Sequence, residues 1–250
     1  MKREIVVVTA AYGRDVVERL GGQAALLPII AESGADGVEI RRELLTEQEL
    51  QALPALAAGI MRHRLFAVYS VPEGLYSEDG ALNPALETRL AEAVALKARA
   101  VKFSLGNYRA GDDLRALNAC VDGLPLQVVV ENDQTKEYGV LAPLQAFFSA
   151  VGRSGSPVGM TFDMANWHWV DEDARQAAVR LAEHVRYIHV KAAQRRHHRW
   201  HAVDLDSSDG GWRALISLLP ERAMRGIEFP LTGRDLTAVT RHYVDLLRED

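Results

Sequence analysis

Four apolar runs in this sequence end on a side chain that can carry a proton or hold a metal. Gln127-Val128-Val129-Val130 stops at Glu131, Gly159-Met160-Thr161-Phe162 at Asp163, Val185-Arg186-Tyr187-Ile188 at His189, and Arg225-Gly226-Ile227 at Glu228. Each run has the length and composition of a buried strand, so the chemistry sits at strand ends. Taken singly, each residue is ordinary: a carboxylate just past a strand is commonly a helix cap or half of an ion pair. Recurrence on four consecutive strands is much harder to attribute to chance. Three carboxylates on one rim repel unless they are protonated or neutralised, and a divalent cation neutralises them directly. An oxygen-rich donor set with one imidazole and no thiolate suits Mn²⁺, Mg²⁺ or Co²⁺, and Zn²⁺ is compatible.

The elements that must position these residues can be read in order. Strands are expected at Glu4–Thr9, Val38–Ile40, Leu65–Ser70, Ala100–Ser104, Leu126–Glu131, the run into Asp163, Val185–Val190 and Arg225–Phe229. Helices alternate with them: Gln23–Ser33, one opened by Thr46 with Glu49 in the capping-box position, Pro84 to Ala98, Gly111–Val121, Leu141–Val151, Asp171–His184, Gly211–Leu219 and Asp235–Leu247. Eight strand-helix pairs without a linker predict an α/β fold, a (β/α)8 TIM barrel, as one domain over residues 1–250. The strands are apolar runs, not alternating ones, as a parallel sheet covered on both faces requires. Thr9-Ala10-Ala11-Tyr12-Gly13 is not the glycine-rich first turn of an open nucleotide-binding sheet. Residues two back from each strand end, Val129, Thr161, Tyr187 and Gly226, are expected to fill the barrel.

Further candidates lie on the same rim. Lys191, two beyond His189, points to the same side and can meet a substrate oxygen. Glu39 ends strand two and either contacts substrate hydroxyls or pairs with Arg41, Arg42 or Lys102. Gln194 to His201 reads as a loop whose Arg195, Arg196 and Arg199 suggest an anionic group on the ligand, against the bland reading of a solvated charge run. Trp167, Trp169 and Trp200 either wall the apolar face of a sugar or pack on helices. The Val71–Asn83 segment reads as a polar loop able to cover a site, and Cys120 as a small buried apolar residue.

Composition narrows the function classes. The chain has 250 residues, 48% of them hydrophobic, with a net charge of −5, which gives no global field for a polyanion and disfavours nucleic acid. No apolar run approaches the roughly 20 residues needed to cross a bilayer. Ile5 to Ala11 is too short for a secretory signal, and the single Cys120 fits a reducing cytoplasm. A homo-oligomer is compatible with all of this.

Together, Val129-Val130-Glu131-Asn132, Thr161-Phe162-Asp163-Met164-Ala165-Asn166, Tyr187-Ile188-His189-Val190-Lys191 and Gly226-Ile227-Glu228-Phe229 resemble the xylose-isomerase-like sugar phosphate isomerase/epimerase superfamily. The resemblance spans essentially the whole chain. It implies that Glu131, Asp163, His189 and Glu228 bind a divalent metal, that Glu131 and Glu228 double as acid and base, and that a small sugar, sugar acid or sugar phosphate is the partner. The substrate-binding residues are then expected among Glu39, Asn166, His168, Lys191 and Arg195. Asn166 stands where many ketose epimerases carry His, a departure from their pattern at the sugar contact. Strands three and four end in Tyr69-Ser70 and Ser104, not in the extra His ligands of the superfamily's endonucleases, so DNA repair is disfavoured. The Asn166-Trp167-His168-Trp169 segment looks most like the epimerases attached to 2-ketogluconate catabolism. The expected function is a metal-dependent isomerase or epimerase working through an enediolate. Its rivals are a dehydratase on the same site and a non-catalytic barrel that binds a sugar acid.

Overall fold

A computed structural model describes residues 2–250. Ten strands follow one another: β1 (Ile5–Val8), β2 (Gly37–Arg41), β3 (Phe66–Tyr76), β4 (Ala98–Gly106), β5 (Gln127–Glu131), β6 (Gly159–Asp163), β7 (Val185–Val190), β8 (Ala192–Arg196), β9 (Arg199–Val203) and β10 (Met224–Ile227). Eight of them close into a parallel barrel in the order β1-β10-β7-β6-β5-β4-β3-β2, with helices in the connections: an α/β (β/α)8 barrel, as expected. Its core lies mainly between the barrel's outer face and the helices, where long apolar side chains such as Ile30, Leu144, Phe147 and Phe162 are fully buried.

The expected Gln194–His201 loop is an antiparallel hairpin instead, β8 against β9, inserted after β7. His197 and His198 form its two-residue turn, both with positive φ (49° and 64°). That is the turn geometry that matches the twist of a tight hairpin, here adopted without the usual Asn or Gly. β3 also runs past its expected end at Ser70. After a bulge its continuation pairs with β4, Gly74 opposite Ser104 and Tyr76 opposite Gly106, so the first part of the expected loop is strand. Several expected helices are shorter or divided. The capping box at Thr46 and Glu49 forms, but its helix (Glu47–Gln51) stops before a second, Leu53–Arg62, which carries Pro54 in its first turn. An unexpected helix, Arg14–Leu20, precedes the short helices at Gln23–Leu26 and Leu27–Glu32.

Register delivers the site. Asp163 lies level with His189, Gly226 is also level with His189, and Glu131 is level with Thr161. Glu228 follows the end of β10, its N–H donating to Val190 O at 3.2 Å, and so continues the ladder by one step. Inside the barrel, Val6, Val68, Ala100 and Tyr187 pack together. Gly226 is required there because a Cβ at this position would collide with the Tyr187 phenolic oxygen.

Candidate functional site

One ligand atom from each of Glu131, Asp163, His189 and Glu228 lies within 4.8 Å of all the others. His189 Nδ1 lies 2.6 Å from Glu131 Oε1 and 3.2 Å from Glu228 Oε2. Its other nitrogen, Nε2, lies 2.8 Å from Glu39 Oε2, which also accepts from Tyr187 Oη at 2.9 Å. Glu39 is fully buried, and Arg41 Nη1 stands 3.6 Å from its second oxygen. This carboxylate orients the imidazole and directs Nδ1 at the cluster, the arrangement typical of a metal-ligating histidine. Burial opposes a charged ring, but the carboxylates of Glu228, Glu39 and Glu131 outweigh it and hold His189 well above the ordinary histidine pKa.

The backbone and neighbouring side chains fix the carboxylates. Asp163 Oδ1 accepts the N–H groups of Ala165 and Asn166, both at 2.8 Å, while Asn132 clamps the Asp163 peptide through its own amide, accepting at 2.9 Å and donating at 3.0 Å. Burial raises Asp163 to about 7 against the pull of Lys191, with Glu228 and Glu131 adding to the rise. Glu131 behaves oppositely: burial would raise it, but Lys102 and His189 bring it to about 2. Lys102 is buried and pairs with Glu131 Oε2. Arg41 meets Glu228 Oε1 at 3.0 Å, and Lys191 meets Glu228 Oε2 at 3.1 Å. With His189 the largest contributor, these cations keep Glu228 well below the usual carboxylate range despite its burial.

The donor set fits a divalent metal. Among the described residues, His189 Nδ1 and Glu131 Oε1 are buried without a hydrogen bond of acceptable geometry, although they face each other. Once Nδ1 gives up its proton, its lone pair and the carboxylate oxygens are a cation's ligands, and the three-oxygen, one-nitrogen set suits a borderline-hard ion. Glu39→Gln, which removes the charge behind His189, is expected to weaken divalent-metal binding by about 10- to 100-fold, read by chelator competition. An unchanged affinity would remove Glu39 from this role.

A pocket of about 370 Å³ opens at the cluster, lined by Tyr12, Gln134, Trp169, Lys191, Glu228 and Phe229 among others. A second, of about 470 Å³, adjoins it at Lys191 and runs past His168, Trp200, Asp209 and Trp212. The substrate-contact candidates divide accordingly. Lys191 lines both pockets. His168 stacks on Trp200 with ring centroids 4.4 Å apart and belongs to the second. Asn166 spends its amide internally, its oxygen accepting from Lys191 at 3.1 Å and Gln134 at 2.9 Å, its nitrogen donating to Asn132 O at 2.9 Å. Glu39 sits beneath His189 and not in the pocket lining. Arg195 is exposed on β8, paired in register with Trp200, and lines neither pocket. Trp167 is fully buried against Phe162, while Trp169 faces the first pocket.

Sequence reasoning did not single out Lys102, Arg41, Asn132 and Gln134 as parts of the site. Lys102 carried a usable signal: a charged residue inside the apolar run Ala100 to Phe103, two back from Ser104, must point inward. Asn132 and Gln134 follow a strand end as ordinary turn residues do, so nothing local distinguished them.

No protein-family model and no curated protein sequence matches the chain. Solved structures do. The IolI protein, crystallised with a zinc atom, superposes with a TM-score of 0.74 at 13% identity, covering 100% of this chain and 99% of that one. The chain has the fold of the xylose-isomerase-like barrels. A D-allulose 3-epimerase from Methylomonas sp., in complex with D-allulose, shares this fold with a TM-score of 0.69 at 12% identity, covering 100% of this chain and 98% of the epimerase. The probable 3-DHS dehydratase AsbF from Bacillus anthracis has it too, with a TM-score of 0.68, 13% identity and 98% coverage of both chains. Among the described residues, no helix is long and apolar enough to cross a membrane.

Proposed function

We propose that the protein is a metal-dependent isomerase or epimerase of a small polyhydroxy carbonyl compound, a sugar, sugar acid or sugar phosphate. The observation that carries this is the convergence of Glu131, Asp163, His189 and Glu228 from four barrel strands onto one point at the base of a pocket that Glu228 itself lines. Bound there, a divalent cation would supply Lewis-acid polarisation of a carbonyl and so lower the pKa of the adjacent C–H. The zinc bound by IolI and the sugar bound by the D-allulose epimerase support a metal and a sugar-sized ligand on this fold.

The protein's own groups handle the proton. Glu228 and Glu131 approach from β10 and β5, on opposite sides of the β6–β7 pair. His189 and Arg41 help to hold Glu228 ionised, and Lys102 and His189 do the same for Glu131, so neither carboxylate carries a proton at rest. Glu228, in the pocket lining, takes the α-proton to leave an enediolate. For the epimer, Glu131 takes up a proton from solvent and delivers it to the opposite face while Glu228 releases the one it abstracted; for the aldose-ketose isomer, Glu228 returns its proton to the neighbouring carbon as the hydroxyl proton passes between the two enediolate oxygens. Trp169 and Phe229 offer flat apolar surfaces to the C–H face of a sugar. An anionic group on the substrate meets Lys191 in this arrangement, since Arg195 lies outside the pocket.

A lyase reading is favoured by one feature. The Lys191 ammonium, 3.1 Å from Glu228, is placed to protonate a departing β-hydroxyl, and AsbF shows that a probable dehydratase shares the fold. One experiment separates the readings: the protein, supplied in turn with Mn²⁺, Mg²⁺, Co²⁺ and Zn²⁺, is incubated in D₂O with a panel of ketoses, sugar acids and sugar phosphates, followed by NMR and mass spectrometry. The expected result is an isomeric product carrying deuterium at the α-carbon. Loss of water selects the lyase, conversion without deuterium selects a hydride shift and removes the enediolate, and sugar-acid binding without any exchange selects a non-catalytic barrel.

A further inference from the structure

The ammonium of Lys191 makes three bonds, the full number of its donors: to Asp163 Oδ2 at 3.0 Å, to Glu228 Oε2 at 3.1 Å and to Asn166 Oδ1 at 3.1 Å. Two of these acceptors belong to the four-residue cluster. Lys102 differs, because it holds Glu131 by Oε2 and leaves Oε1, the oxygen facing His189 Nδ1, to the cluster. Arg41 likewise takes Oε1 of Glu228, the oxygen turned away from His189 Nδ1. Of Lys102, Arg41 and Lys191, Lys191 is therefore the one seated on inward-facing ligand oxygens.

We propose that Lys191 is an internal competitor for the metal: its ammonium and a divalent ion claim the same oxygens of Asp163 and Glu228, and metal loading turns the side chain out into the pocket. The proposal rests on the metal-dependent reading of the site. The geometry supplies both halves of the exchange. A divalent ion gains more from two buried carboxylates than a single ammonium does, so the exchange runs toward metal. The displaced chain has somewhere to go, because the two pockets meet at Lys191 and the Trp169 ring centroid lies 6.0 Å from its Nζ, within reach of a cation-π contact. Two consequences follow. The site binds metal more weakly than its four ligands alone would, and loading delivers an ammonium to the pocket where substrate oxygens lie.

Two measurements test this on the full chain. In the first, Mn²⁺ affinity is measured by calorimetry or chelator competition for wild type, Lys191→Met and Lys102→Met, with circular dichroism as the check on folding. Lys191→Met is expected to bind at least about tenfold more tightly than wild type, and Lys102→Met to change by clearly less. Unchanged or weaker binding by Lys191→Met overturns the proposal. So does an equal gain in both variants, which would mean bulk electrostatics and not competition for the same oxygens. The second measurement needs no variant: lysine acylation followed by mass spectrometry on the wild-type protein, with and without Mn²⁺. Lys191 is expected to be modified faster with the ion bound, and equal or slower modification overturns the exchange. Wild-type protein that takes up no divalent ion would bring down the metal-dependent reading and this proposal together, whereas uptake without tighter binding by Lys191→Met brings down this proposal alone.

Discussion

Asp163→Asn and His189→Ala are each expected to leave a folded barrel that no longer retains a divalent ion through desalting, a loss of at least about 100-fold in affinity and of all turnover that depends on the metal. Removing a ligand costs more than removing a group behind one, for which about 10- to 100-fold is typical. The asparagine is the cleaner change. Its side-chain oxygen can still accept from the N–H groups of Ala165 and Asn166, as Asp163 Oδ1 does at 2.8 Å, so the turn after β6 keeps its anchor while the ligand charge disappears. His189→Ala additionally leaves Glu39 and Tyr187 without the ring between them and the cluster, and its stability is expected to suffer more, because Glu39 is a fully buried carboxylate deprived of its closest cationic partner. Metal-to-protein ratios from elemental analysis, beside circular dichroism, decide the matter. Undiminished metal in both variants would sink the ligand assignment.

The second large effect concerns turnover. Glu228→Gln also removes a ligand charge, so it is assayed at a metal concentration that saturates the weakened site, where it is expected to keep its fold and to lower kcat by about 10²- to 10⁴-fold, the usual contribution of a general base. The amide keeps an oxygen that can still meet Arg41, and it keeps the shape of the pocket wall, but it cannot take a proton. Solvent deuterium incorporation should fall in step with turnover, because both pass through the same carboxylate. If turnover survives at near wild-type level while the metal content is unchanged, the base lies elsewhere, and Glu131 becomes the first candidate to replace in the same way.

The barrel and its rim were legible because of the way parallel strands are written. A strand buried on both faces is an uninterrupted apolar run, so a carboxylate or imidazole at its end stands out, and Glu131, Asp163, His189 and Glu228 could be picked out without knowing any contact. What stayed hidden depends on contacts between distant segments. Glu39 left a choice of partners open, and only the closed barrel brings it under His189, 150 residues away, while Arg42 goes instead to Glu92 at 2.8 Å. The β8–β9 hairpin was unreadable for a local reason: Gln194 to His201 is nearly all charged or imidazole-bearing and lacks both apolar alternation and a glycine or asparagine at the turn. Its course also decides the fate of Arg195, since pairing in register with Trp200 turns that stretch toward solvent. Helix boundaries suffered from residues that suit either side of a break, such as Ala52 between two short helices.

The fit of Gly226 against Tyr187 bears on how this barrel can be altered. Position 226 accepts a side chain only if position 187 becomes smaller, and any smaller residue at 187 deprives Glu39 of the hydroxyl that shares its oxygen with His189. Position 226 therefore cannot change alone, and the change at 187 that it needs loosens the imidazole above it. A library that randomises the barrel interior for thermal tolerance would keep the fold in many combinations that fill the same volume. Selection for heat resistance alone should then drift toward tighter, drier interiors with idle sites, and only a screen that also reads metal retention would preserve Tyr187 and Gly226 together.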